Sequence, residues 1–176
     1  QPLIFIHGWL GSWRYWWPSM QAMSAQHRSF AFDLWGFGDS SKSPDLYSLD
    51  AYATMIDQFI DQLGVARPVY LIGHSLGAAV ALRYTRKYPQ NVEKLVTVSL
   101  PVTGSYTNSK VAASDPDFVV NKILGKSNSF PEIDTEIRKI DPLAFTKLVN
   151  EMAAANFAQD LAESPRPVLL LYGEQD

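Results

Sequence analysis

The residues best suited to chemistry are Gly73-His74-Ser75-Leu76-Gly77, a G-x-S-x-G run. A serine held on a sharp strand-to-helix turn presents its hydroxyl as a nucleophile for acyl transfer. On composition alone such a run arises in roughly 5% of chains this long, so its setting has to carry the argument. Val69-Tyr70-Leu71-Ile72 before it reads as an apolar strand, and the Ala-rich stretch from Leu76 reads as a helix. That is the strand–turn–helix context the chemistry requires. The competing reading is a glycine-rich β-to-α turn in which Ser75 merely caps the helix.

A second run, His7-Gly8-Trp9-Leu10-Gly11, directly follows the strand-like Leu3-Ile4-Phe5-Ile6. Glycine there lets the backbone pass close to the serine, so that the amides of Trp9 and Leu76 can donate to a developing oxyanion. The alternative for this stretch is a plain turn. Of the three histidines, His74 adjoins Ser75 and its side chain should diverge from the hydroxyl. His27 reads as a solvated residue between a helix and a strand.

These residues need elements that bring them to one edge. Strands are expected at Leu3–Ile6, Ser29–Phe32, Val69–Ile72, Leu95–Ser99 and Val168–Tyr172. Their continuous apolar character suits parallel strands covered on both faces. A helix is expected over Leu49–Leu63, with Leu49, Tyr52, Ile56, Phe59, Ile60 and Leu63 on one face, Ser48 as its cap and Gly64 as its stop. A further helix should follow Leu76 and end by Pro89. The alternation implies an α/β fold with a mostly parallel, doubly wound sheet and right-handed crossovers.

The stretch from Val102 to Ser164 breaks this rhythm. Asp115-Pro116 and Asp141-Pro142 each suit a helix start. Phe118, Val119, Ile123 and Leu124 form one apolar face; Leu143, Phe145, Leu148 and Met152 form another. The chain therefore divides into a core, residues 1–101, a small helical insertion, 102–164, and a closing strand and loop, 165–176. The charge pairs around Glu132–Lys139 read as a solvated helix face.

Composition narrows the partners. The 176 residues are 47% hydrophobic and 19% charged, with net charge −3, which describes a globular chain. The absence of Cys excludes disulfides, thiolate metal sites and a cysteine nucleophile, and suits a cytoplasmic enzyme. No basic stripe suggests nucleic acid, and no apolar run approaches the ~20 residues that span a bilayer. A small-molecule substrate is the expectation.

With Asp33-Leu34-Trp35-Gly36-Phe37-Gly38-Asp39-Ser40 between the two runs above and Leu171-Tyr172-Gly173-Glu174-Gln175-Asp176 at the end, the sequence resembles the α/β-hydrolase family. The first of these stretches resembles the family's D-x-x-G-x-G-x-S loop, which is structural and borders the active site. The resemblance implies Ser75 as nucleophile, Asp176 as the triad acid, and oxyanion donors at Trp9 and Leu76. It makes His7 structural and the helical insertion a lid, or cap, and it implies no metal and no organic cofactor. The family order of serine, acid, histidine puts the base beyond Asp176, so a piece of a longer protein is expected.

A serine at the nucleophile position disfavours the family's haloalkane dehalogenases and epoxide hydrolases, which use aspartate. Hydrolysis of a small, largely apolar carboxylic ester is the default reading. C–C bond hydrolysis, a cofactor-free haloperoxidase activity or a non-catalytic ligand-binding homologue are the alternatives. Trp9, Leu100 and Val102 are candidates for the substrate pocket. In the aromatic cluster Trp13, Tyr15, Trp16 and Trp17, packing is the simpler role.

Overall fold

The computed structural model describes residues 1–102 and 135–174. Within them, five strands form one parallel sheet in the order β2-β1-β3-β4-β5. The strands are β1 (Leu3–Ile6), β2 (Ser29–Phe32), β3 (Val69–His74), β4 (Val92–Val98) and β5 (Val168–Leu171). The helices are α1 (Trp17–Met23), α2 (Leu49–Gln62), α3 (Leu76–Lys87), α4 (Pro142–Ala154) and α5 (Phe157–Ala162). A 3₁₀ turn, Trp13–Trp16, leads into α1.

The chain winds outward from β1 to β2 and then returns to place β3 on the other side of β1. Right-handed crossovers therefore put α1 on one face and α2 and α3 on the other. The order of the strands reverses between β1 and β3, where an open α/β sheet forms its crevice. Register aligns the strand ends there: Ile6 pairs with both Phe32 and Gly73, His74 with Val98, and Val98 with Leu171. The loops after all five strands consequently gather at one carboxyl edge.

Local chemistry sets the helix limits. Ser48 accepts the Ala51 N–H at 3.1 Å, and Glu151 of α4 accepts the Leu49 N–H at 2.9 Å, so two orphan donors of α2 are satisfied. Gly64 closes the helix at φ 59°. Leu49, Tyr52, Ala53, Ile56 and Ile60 are buried, whereas Leu63 is 53% exposed, because it sits at the cap where the helical face ends. Asp141 caps α4 through the Leu143 N–H at 2.9 Å, with Pro142 in the first turn.

Leu143 is exposed, a departure from the expected face. The buried stripe of α4 is Ala144, Phe145, Leu148, Val149 and Met152, and Ala144 occupies the space beside Gly36 that a Cβ there would need. Among the described residues, the larger hydrophobic core joins β1, β3, α2 and α3 to Ala144, Leu148, Met152 and Phe157, and a smaller cluster holds Phe145 and Val149. The Asp115-Pro116 start and the Phe118 face lie outside the described residues.

The expectation of a solvated face around Glu132–Lys139 is corrected for Glu136, which is buried at 5% exposure. Arg14 stands 3.5 Å from its Oε2 and Lys139 Nζ donates to its Oε1 at 3.0 Å. Two cations thus make burial of this carboxylate tolerable.

Candidate active site

Ser75 stands between β3 and α3 with φ 50° and ψ −111°, a conformation that is costly for any residue with a Cβ. Its hydroxyl makes no capping bond to the helix, unlike Ser48, so the capping role does not explain it. The flanking glycines have distinct reasons. A Cβ on Gly73 would collide with the Gly77 carbonyl and Ala78, within the elbow itself. A Cβ on Gly77 would collide with the carbonyls of Ile6 and His7, where α3 presses on the end of β1. The sequence pattern therefore encodes two backbone approaches, one local and one between elements.

Two peptide planes at this edge are fixed by their carbonyls. The Ser75 C=O accepts from the N–H groups of Ala78 and Ala79, at 3.0 and 3.2 Å. In a planar trans peptide the N–H opposes the C=O, so the Leu76 N–H points out of the helix start. The Gly8 C=O is held in turn by His7 Nδ1 at 2.8 Å and by the Gly11 N–H at 3.2 Å, which directs the Trp9 N–H the opposite way. Neither the Leu76 nor the Trp9 N–H has a hydrogen-bond acceptor among the described residues. The Ser75 N–H, by contrast, is used by the Val98 carbonyl at 2.8 Å.

His7 is fully buried, and both ring nitrogens are engaged. The Leu34 N–H donates to Nε2 at 3.0 Å, which leaves the proton on Nδ1 for the Gly8 carbonyl. Burial lowers its pKa and keeps the ring neutral, against the opposing pull of the Gly8 bond and the Asp33 charge. Asp33 ties the neighbouring loops together: Oδ1 accepts the Trp13 N–H at 2.8 Å and Oδ2 the Asp39 N–H at 2.9 Å. Gly38, at φ 47°, leaves the space that the Asp33 carboxylate fills.

Trp9 is half-buried and packs edge-to-face on Phe145 of α4, with ring centroids 5.2 Å apart. Leu100 is buried in the core and Val102 half-buried, both just past β4. Tyr172 donates to the Leu100 carbonyl at 2.8 Å, joining the loop after β5 to the loop after β4. Asp176 lies outside the described residues. His27 contacts the Gln1 carbonyl at 2.9 Å, remote from this edge.

Tyr15, expected from the sequence to serve in packing, also makes polar contacts at this edge. Its hydroxyl accepts the Gly8 N–H at 2.5 Å and lies 3.2 Å from His74 Nδ1. Burial raises the pKa of the phenol, which stays protonated. No local signal marks such a contact, because His74 is 59 positions away. A cavity of about 970 Å³ opens beside these groups, lined by Gly8, Trp13, Tyr15, Trp16, Trp17 and His74 among others.

A parallel sheet carrying a strained serine after its third strand defines the class, and the comparisons agree. The sequence profile of the alpha/beta hydrolase fold matches residues 1–171, and the chain belongs to that family. It is 34% identical to human (lyso)-N-acylphosphatidylethanolamine lipase over 72% of this chain and 39% of the lipase. It is 30% identical to epoxide hydrolase 1 of Caenorhabditis elegans over 59% of this chain and 26% of that enzyme. Among solved structures, bromoperoxidase from Bacillus anthracis superposes with a TM-score of 0.81 at 22% identity, covering 99% of this chain and 74% of the other. The chain spans about half the length, or less, of these curated relatives. Among the described residues, no helix is long and apolar enough to cross a membrane.

Proposed function

We propose that this chain carries the nucleophile and oxyanion hole of a serine hydrolase acting on a small, largely apolar carboxylic ester. The observation that supports it most is Ser75 itself: a strained serine whose hydroxyl makes no cap bond, at the edge where the loop after β1 and the start of α3 meet. In this reading Ser75 Oγ attacks the acyl carbon while the carbonyl oxygen moves toward the Trp9 and Leu76 N–H groups. The alkoxide then leaves with a proton, and water hydrolyses the acyl-enzyme. The proton passes through a histidine of the full-length protein, oriented by Asp176.

Residues 102–164 act as a cap, with Trp9, Leu100 and Val102 bordering the acyl pocket. The contact between Trp9 and Phe145 supports a cap seated close to the oxyanion loop. The lipase name of the human relative is consistent with ester chemistry. The aspartate nucleophile of epoxide hydrolases has no counterpart at Ser75.

Short-chain p-nitrophenyl esters assayed with the full-length protein test the reading. Ser75→Ala should lower kcat by at least about 10³-fold with the fold intact. Unchanged ester turnover in that variant would eliminate it. Diketone-cleavage and peracid-forming assays on the same protein separate the rival chemistries that share this nucleophile.

A further inference from the structure

We infer that Tyr15 is a positioning residue for the oxyanion hole, a role resting on the serine-hydrolase reading. The two donors of that hole belong to different segments. Trp9 follows Gly8 in the loop after β1, and Leu76 follows His74 and Ser75 in the elbow after β3. The Tyr15 hydroxyl touches both segments, accepting from the Gly8 N–H at 2.5 Å and meeting His74 Nδ1 at 3.2 Å. A phenol can accept and donate at once, so one oxygen bridges loop and elbow.

The remaining constraints on the loop are already assigned. His7 Nδ1 and the Gly11 N–H hold the Gly8 carbonyl, which orients the Trp9 amide within its own plane. Those bonds are internal to the loop and say nothing about its distance from Ser75. Close approach is permitted by Gly8, whose missing Cβ would lie 2.8 Å from His74 Nδ1 and 3.2 Å from the His74 carbonyl. Tyr15 supplies the polar tie across that approach. Its ring is placed independently of the hydroxyl, lying over Gly11 and tilted against Trp16 at 5.2 Å. Tyr15→Phe therefore keeps the packing and removes only the bridge.

The test uses the full-length protein. In Tyr15→Phe, kcat for a p-nitrophenyl ester should fall about tenfold, less than for loss of a direct donor. KM should change less than about twofold, and inhibition by an alkylboronic acid, whose adduct carries the oxyanion, should weaken by a similar factor of about ten. In the wild type, the Gly8 amide should exchange slowly with deuterium, and in the variant faster. An unchanged kcat and boronate affinity would overturn the inference, as would a rapidly exchanging Gly8 amide in the wild type, even if the variant failed to fold. If the wild type neither turns over esters nor reacts with a fluorophosphonate, the hydrolase reading itself fails and takes this role with it.

Discussion

His7 shows how much one side chain decides. Its neutral ring is clamped between the Leu34 N–H and the Gly8 carbonyl, and protonation would place two N–H donors where one acceptor is needed. The folded state holds its pKa below the ordinary 6.5, so stability is full above that pH and declines as acid protonates the unfolded chain first. Wild-type urea midpoints should fall between pH 7 and 5, with this residue contributing at most about 1.4 kcal/mol per pH unit. His7→Gln should be less stable at pH 7 and show a flatter pH dependence; an equal slope in both proteins would contradict the assignment. The structural character of His7 was legible from its place beside Gly8, through the family resemblance. Its tautomer was not, because that depends on a backbone amide 27 residues away. Tyr15 was read as packing for the same reason: nothing near it in sequence announces Gly8 or His74.

At the scale of elements, local signals were reliable wherever local chemistry ends an element. Ser48, Gly64 and the Asp141-Pro142 pair mark their helix ends in the structure as they do in the sequence. Faces were less legible: Leu63 and Leu143 fit the helical period but lie at helix ends, where the period no longer dictates contact. Strand β4 begins at Val92 rather than Leu95, since pairing with Val69 recruits residues that are polar on one side. Helix α5 was not anticipated, being six residues long with a single buried side chain, Phe157. The G-x-S-x-G glycines belong to this scale, because Gly77 sets the distance between α3 and β1. Gly77→Ala should destabilise by about 1–3 kcal/mol in denaturant titration, as its methyl meets two backbone carbonyls that cannot move independently. Ser48→Ala should cost about 1 kcal/mol through its cap alone. A Gly77→Ala protein as stable as the wild type would show that the helix has room to shift.

Across the whole molecule, the mostly parallel sheet was readable from the βα alternation before any coordinates. Its strand order, with β1 between β2 and β3, and the register that brings the loops after the strands to one edge came only from the structure. Long-range charge was not readable either. Arg14 bonds Asp39 at 2.7 Å, Lys139 bonds Asp39 at 2.9 Å, and both approach Glu136. The network spans positions 14 to 139 and links the turn after the His7–Gly11 loop, the Asp33–Ser40 loop and the chain just before α4. Hydrogen bonds to its two cations lower the Asp39 pKa, and the bond to Asp39 raises that of Arg14. Arg14→Met should lower the melting temperature, with a larger drop at low ionic strength than in about 0.5 M salt, since exposed parts of the network are screened. Equal drops at both salt levels would mean that the side chain acts through packing alone.

Ser75 Oγ is the atom on which the proposed activity depends. Incubating the full-length protein with a fluorophosphonate and mapping the adduct by peptide mass spectrometry tests it most directly. Stoichiometric phosphonylation at Ser75 is expected, with loss of ester turnover in parallel and no labelling of Ser75→Ala. An active protein whose adduct maps to another residue, or that stays unlabelled while it turns over ester, would contradict it.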